Sequence, residues 1–275
     1  LEETAASIFE EVEAVAGEIR GGISRADLQR LLPAGGARNA VDCALWDLEC
    51  KRSGKRIWEL TGIEPGPVTT VFTIGLDDSP EAMAAKAAAA DSPVLKVKLD
   101  GDRPYEKLAA IRAARPDAQL VVDANQSWDF ALLQNVIPKC AALDLGMIEQ
   151  PLPRGGDAEL EGFDSPVTLC ADESCLDSSE LAAAACRYGM INIKLDKTGG
   201  LTEALKLAHE AQALGCKLMV GNMVGTSLGM APSFVIAQLC DFADIDGPLL
   251  LKHDHPRGLH YDNGVVSGLA PSFWG

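Results

Sequence analysis

Residues 94–100 read VLKVKLD, an apolar, β-branched run that carries two lysines, Lys96 and Lys98, two positions apart. Successive side chains of a strand face opposite ways, so both ammonium groups leave one face while Val97 and Leu99 leave the other. Groups of opposite charge are needed to meet them. They follow in order: QLVVDAN (119–125), LGMIEQPL (145–152) and VTLCADES (167–174) are apolar runs that each end in a carboxylate, Asp123, Glu149 and Asp172. VTTVFTIGL (68–76) precedes the set, and GMINIKLD (189–196), KLMVGN (217–222) and FADIDG (242–247) complete it.

Helical patterns separate these eight runs, which predicts parallel βα units closing into a barrel. The polar residues at the ends of the runs, from Lys98 through Asp123, Glu149, Asp172, Lys194 and Asn222 to Asp246, recur every 22 to 28 residues. One unit of a βα barrel takes about that length, and residues at the strand ends share its mouth. A doubly wound open sheet is the competing arrangement. It usually shows a Gly-rich turn after its first strand, and none follows VTTVFTIGL.

Ahead of the barrel, residues 1–66 read as helices: EETAASIFEEVEAVAGEI, a Gly/Pro break at 33–36, then ARNAVDCALWDLECKRSGK with Gly54 as its stop signal. The barrel is expected over 67–246, with 247–275 as a returning C-terminal segment. The composition suits this plan, because 275 residues at 47% hydrophobic can build a full core. Forty acidic residues against 24 basic give a formal charge of −16, which repels nucleic acid and anionic membrane surfaces. No apolar run approaches the roughly 18 residues of a membrane span. Eight cysteines without a C-x-x-C pair fit reduced thiols. Together these features predict a cytoplasmic protein whose partner is a small molecule or a cation, with self-association left open.

Asp or Glu after a strand is often only the N-cap of the next helix. Three in successive units are better explained as a site, since like charges at one mouth raise each other's pKa unless a cation joins them. Oxygen ligands without His or Cys suit a hard ion such as Mg²⁺. Lys98 and Lys194 flank the three acids and, in a closed barrel, stand on opposite sides. The chemistry that suits them is proton removal from a carbon beside a carboxylate, with the enediolate stabilised electrostatically. A lysine base needs its pKa lowered by about 3 units, and the charge of Lys96 on the same face offers one cause. Asp244 and Asp246 share a face of the last strand and call for a second cation, most simply a substrate ammonium group. Asn222, Thr226 and Ser227, in the Gly-rich stretch after the seventh strand, are expected to touch substrate, and Asn125 and Glu173 to support the site. Gly199 and Gly200 could offer N–H groups to an anion. His253 and His255 form an H-x-H beyond the last strand and carry little weight.

Taken together, K-x-K (96–98), VVDAN (121–125), IEQPL (148–152), ADES (171–174) and IKLDKTGGLTEA (193–204) resemble the enolase superfamily and, within it, the muconate-lactonizing subgroup. ALWDLECKRSGKRIWELTG (44–62) resembles the end of that superfamily's capping domain. The resemblance implies a modified (β/α)₇β barrel with a partial N-terminal capping domain. It also implies Mg²⁺ on Asp123, Glu149 and Asp172, with Lys98 and Lys194 as the acid/base pair, an arrangement already known for the superfamily. The D-x-D of Asp244 and Asp246 is similar to that of dipeptide epimerases, which hold the free α-ammonium of a dipeptide. The expected reaction is therefore 1,1-proton transfer at the α-carbon of the C-terminal residue, with L-Ala-D/L-Glu as the default dipeptide. Cycloisomerase, o-succinylbenzoate synthase and N-acylamino acid racemase activities keep both lysines but have no use for the paired aspartates. A sugar-acid dehydratase needs a His base that the strand ends lack, and a catalytically silent barrel that binds anionic metabolites is the alternative from another class. The family's capping domain opens with a small antiparallel sheet and a mobile loop that helps select the side chain. Here about 64 residues precede the barrel, so side-chain preference is left open.

Overall fold

The structure, a computed structural model, describes residues 3–275. Five helices come first: α1 (Ala5–Ala14), α2 (Ala16–Arg20), α3 (Arg25–Leu31), α4 (Gly36–Ser53) and α5 (Ile57–Thr61). Two of the starts have a local cause. Thr4 and Ser7 exchange backbone-to-hydroxyl hydrogen bonds across the first turn of α1, and the Ser24 hydroxyl accepts from Asp27 N at α3. Gly54 ends α4 in the left-handed conformation, φ 71°, as its position in the sequence predicts. Leu1 and Glu2, at the head of the expected first helix, lie outside the described residues.

The run VTTVFTIGL is two strands, not one. β1 (Val68–Thr69) joins a small antiparallel sheet, and β2 (Phe72–Ile74) opens an eight-stranded parallel one. The parallel sheet continues in chain order through β3 (Val94–Lys98), β4 (Gln119–Asp123), β5 (Leu145–Glu149), β6 (Leu169–Ala171), β7 (Met190–Lys194), β8 (Lys217–Gly221) and β9 (Phe242–Ala243). A parallel bridge between Thr70 and Ala243, with Val71 N donating to Ala243 O at 2.8 Å, brings the last strand back to the first and closes the barrel. The strands are linked by α6 (Pro80–Ala89), α7 (Pro104–Ala114), α8 (Phe130–Ala141), α9 (Leu181–Ala185), α10 (Leu195–Thr198), α11 (Leu201–Ala213) and α12 (Ser227–Ala237). Between β5 and β6 the helix shrinks to a single 3₁₀ turn, Ala158–Leu160. β10 (His260–Asp262) and β11 (Val265–Ser267) then pair with β1 in the order β1-β11-β10. The chain end returns to the helices at the front, where Trp274 Nε1 donates to the Cys43 carbonyl and Arg56 donates to the carbonyls of Leu269 and Gly275.

Strand alternation builds the barrel interior in layers. Val71, Val121, Met147, Cys170, Met190 and Met219 pack together at the bottom, with Val94 and Phe242 against them. Every strand direction thus contributes one apolar side chain to a closed floor. Two residues further along each path come Thr73, Lys96, Asp123, Glu149, Asp172, Asn192, Gly221 and Asp244, and above them Lys98, Lys194 and Asp246. Along the ladders Lys98 is the register partner of Asp123, and Asp123 that of Glu149. A bulge keeps β5 in step: its register shifts at Leu120/Val121, and Gly146 there has no room for a Cβ, which would lie 2.7 Å from the Phe242 ring.

Candidate active site at the barrel mouth

Asp123, Glu149 and Asp172 converge above the floor and are almost wholly buried. Ammonium groups meet them. Lys96 Nζ stands 3.0 Å from Asp123 Oδ2, 2.8 Å from Glu149 Oε2 and 2.7 Å from Asp244 Oδ2. Lys98 Nζ is 2.6 Å from the same Asp123 oxygen and also donates to Asn125 Oδ1 at 2.8 Å. Lys194 Nζ donates to Asp172 Oδ2 at 2.5 Å. Lys98, about a third exposed, and Lys194 stand on β3 and β7, four strands apart around the closed sheet, with the carboxylates between them.

Burial works against the charge on Lys96 and Lys194, but the surrounding carboxylates more than offset it and hold both ammonium groups above the ordinary lysine range. Burial and the neighbouring charges of Asp123 and Asp172 push Glu149 up to about 7. Asp172, although buried, is held well below the usual carboxylate range by Lys197 and Lys194. Glu173 is half-buried at the mouth and raised by burial and by Asp172. Asp246 is pushed up to about 6 by burial and by Asp244, while its Oδ2 accepts from Thr73 N at 3.1 Å.

Five expectations need correction. Lys96 is 2% exposed and bonded to three carboxylates, so it ties the acidic cluster together from below instead of turning to the opening. Asn222 donates to the Asp244 carbonyl and buttresses that loop. Ser227 is fully buried, and its N–H donates to Asp254 Oδ1 at 2.8 Å, so it anchors the start of α12 to the C-terminal segment. Exposed Thr226 lines a different cavity of about 430 Å³, beside Asn39, Cys43 and Trp274. The N–H groups of Gly199 and Gly200 are not offered to an anion, because both donate to the Leu195 carbonyl, at 2.8 and 3.0 Å.

Three residues escaped the reading of the sequence. Asn192, on the inward face two residues before Lys194, donates to Glu149 Oε1 at 2.7 Å. Lys197, 4% exposed, donates to the carbonyls of Asp172, Cys175 and Asn192. Gln150, fully buried with φ 35°, accepts from the N–H groups of Asp172 and Ser174. The signal for Asn192 was present, since the parity that paired Lys96 with Lys98 pairs Asn192 with Lys194.

As the side chains stand, no three Asp, Glu, His or Cys groups among the described residues close around an ion. The donor set nevertheless fits one. It is made of oxygen only, it is buried, and Glu149 Oε2 and Asp172 Oδ1 accept no well-aligned hydrogen bond, being faced only by the ammonium groups of Lys96 and Lys197 at 2.8 Å.

Residues 81–267 match the family model described as enolase C-terminal domain-like, and residues 11–62 match that of the mandelate racemase / muconate lactonizing enzyme N-terminal domain. The L-Ala-D/L-Glu epimerase of Escherichia coli (strain K12) is 45% identical over 268 residues, 96% of this chain and 83% of that protein. The N-acetyl-D-glutamate racemase of a Pseudoalteromonas species is 44% identical over 251 residues, 90% and 79% of the two chains. Among solved structures, an enolase family member from Agrobacterium tumefaciens with homology to dipeptide epimerases, with bound sodium and L-Ala-L-Glu, superposes with a TM-score of 0.94 at 46% identity, covering 99% of this chain and 84% of that one. A dipeptide epimerase from Methylococcus capsulatus complexed with Mg ion superposes with a TM-score of 0.85 at 29% identity, covering 96% and 83%.

Proposed function

The chain belongs to the mandelate racemase / muconate lactonizing enzyme family of the enolase superfamily, and from that premise we propose that it is a Mg²⁺-dependent dipeptide epimerase acting on L-Ala-D/L-Glu. The observation that carries this reading is the opposed pair Lys98 and Lys194 across a set of buried carboxylates. One lysine removes the α-proton of the C-terminal residue, and the other returns a proton to the opposite face. The protonated state of Lys194 suits the donor in one direction of that exchange. Asp123, Glu149 and Asp172 would hold the cation. When bound, Mg²⁺ would supply positive charge that draws in the substrate carboxylate, steadies the charge that forms on proton loss, and offsets the acids that keep Lys194 protonated. Asp246 and the oxygen of Asp244 not taken by Lys96 receive the α-ammonium. Asn125 orients Lys98 through its side-chain oxygen. The division into a capping portion (1–66), a barrel (67–246) and a returning segment (247–275) belongs to the same proposal, as does a cytoplasmic setting. It agrees with the absence of any helix among the described residues long and apolar enough to cross a membrane.

A second reading has one observation in its favour. Lys96 already neutralises one oxygen of Asp244, which weakens the call for a substrate ammonium and suits an N-acylated amino acid, the substrate class named for the Pseudoalteromonas relative. Incubation in D₂O with Mg²⁺ separates the two. Deuterium should enter the α-position of the C-terminal residue of L-Ala-L-Glu faster than that of N-acetylglutamate. The reverse order would favour the racemase, and no exchange across a dipeptide library would overturn the epimerase.

A further inference from the structure

The inward face of β7 reads Met190, Asn192, Lys194: floor, amide, ammonium. Asn192 is fully buried. Its Nδ2 donates to Glu149 Oε1, while its own Oδ1 meets no donor. Glu149 Oε2 likewise receives no hydrogen bond, although Lys96 Nζ stands 2.8 Å away. The amide thus ties down one oxygen of the carboxylate, while the other is faced only by the Lys96 ammonium. A neutral donor does this without cancelling the charge that a cation needs, which a lysine or arginine in its place would do. The neighbouring strand leaves room for it: a Cβ on Gly221 would lie 2.7 Å from Asn192 Oδ1 and 2.8 Å from its Nδ2. Besides Lys96, Glu149 faces Asp123 and Asp172, whose charges favour its swinging away.

We propose that Asn192 is a positioning residue of the cation site, holding Glu149 by Oε1 so that Oε2, beside Lys96, is presented to the divalent ion. It therefore sets cation affinity and not the proton transfer. The inference rests on the Mg²⁺ reading above. The test is calorimetric titration of the metal-free protein with Mg²⁺ alone, in the wild type and in Asn192→Leu and Asn192→Ala. Both variants should bind Mg²⁺ 10- to 100-fold more weakly, as is usual for lost partners of metal ligands. At saturating Mg²⁺ the dipeptide KM and the turnover should stay within about threefold of wild type, a split that general loosening of the barrel does not produce. Gly221→Ala keeps Asn192 in the sequence but drives a methyl group into it, and also to 2.8 Å from Lys194 Cε, so its Mg²⁺ affinity is read and its turnover is not. It should weaken Mg²⁺ in the same way, and it decides the question if the other variants fail to fold. Wild-type affinity in the folded variants overturns this inference alone. A wild type that takes up no Mg²⁺ overturns the functional reading and this inference with it.

Discussion

Lys98 and Lys194 differ in their surroundings more than in their chemistry. Lys98 is partly open to solvent and shares Asp123 with Lys96, whereas Lys194 is nearly enclosed and bonded to Asp172. Replacing either by alanine should cut epimerisation by about 10²- to 10⁴-fold, the range of a positioned acid or base, with dipeptide affinity at equilibrium far less affected. A turnover assay run beside equilibrium binding checks both halves of that statement. Asp246 makes a sharper case. With its pKa pushed up to about 6 by burial and Asp244, it is largely neutral at pH 5 and ionised at pH 7.5. Affinity for a free dipeptide should therefore rise as the pH passes upward through 6, while affinity for the N-acetylated form stays flat. Asp246→Asn should flatten the first curve and weaken the free dipeptide about tenfold relative to the acetylated one. Equal losses for both would remove the ammonium from the site.

At the scale of elements, α4 grips the turn that follows Lys194. Arg38 donates to the carbonyls of Thr198, Gly199, Leu32 and Gln29, and Asp42 Oδ2 accepts from Thr202 N at the start of α11. Arg38→Ala would strand these buried acceptors and should cost about 3 kcal/mol of stability, measurable by urea unfolding. This grip was illegible in the sequence, where Thr198-Gly199-Gly200 looked like an open anion loop. Nothing local to those glycines tells of a partner some 160 positions earlier. The split of VTTVFTIGL has the same origin. Its first half pairs with β11, nearly 200 residues away, so an unbroken β-rich run passes from one sheet to another without a local sign. By contrast, strand parity and spacing located both lysines and all three carboxylates, because alternation and unit length are local properties that the barrel must obey. The same parity would have located Asn192, had it been applied to a neutral residue.

For the molecule as a whole, the acids of the mouth store proton affinity in the folded state. Glu149 at about 7 and Asp246 at about 6 both lie above the values of an unfolded chain, roughly 4. The stability they contribute is complete below about pH 4 and is lost as the pH rises through 6 and 7. Metal-free protein should therefore lose about 4 kcal/mol between pH 5 and pH 8, seen as a falling melting temperature. Mg²⁺ at a hundred times its dissociation constant should restore about 2.7 kcal/mol at pH 8 and less at pH 5, where protons compete for Glu149. Chelation with EDTA should return the original slope.

The apolar floor has a further consequence for traffic. Val71, Val121, Met147, Cys170, Met190 and Met219 seal one end of the barrel, so the vessel has a single door. Whatever enters first lies deepest, and whatever enters last must leave first. An ion held among the buried acids is therefore loaded before the dipeptide and trapped beneath it until product departs. Excess substrate should accordingly slow the escape of the ion.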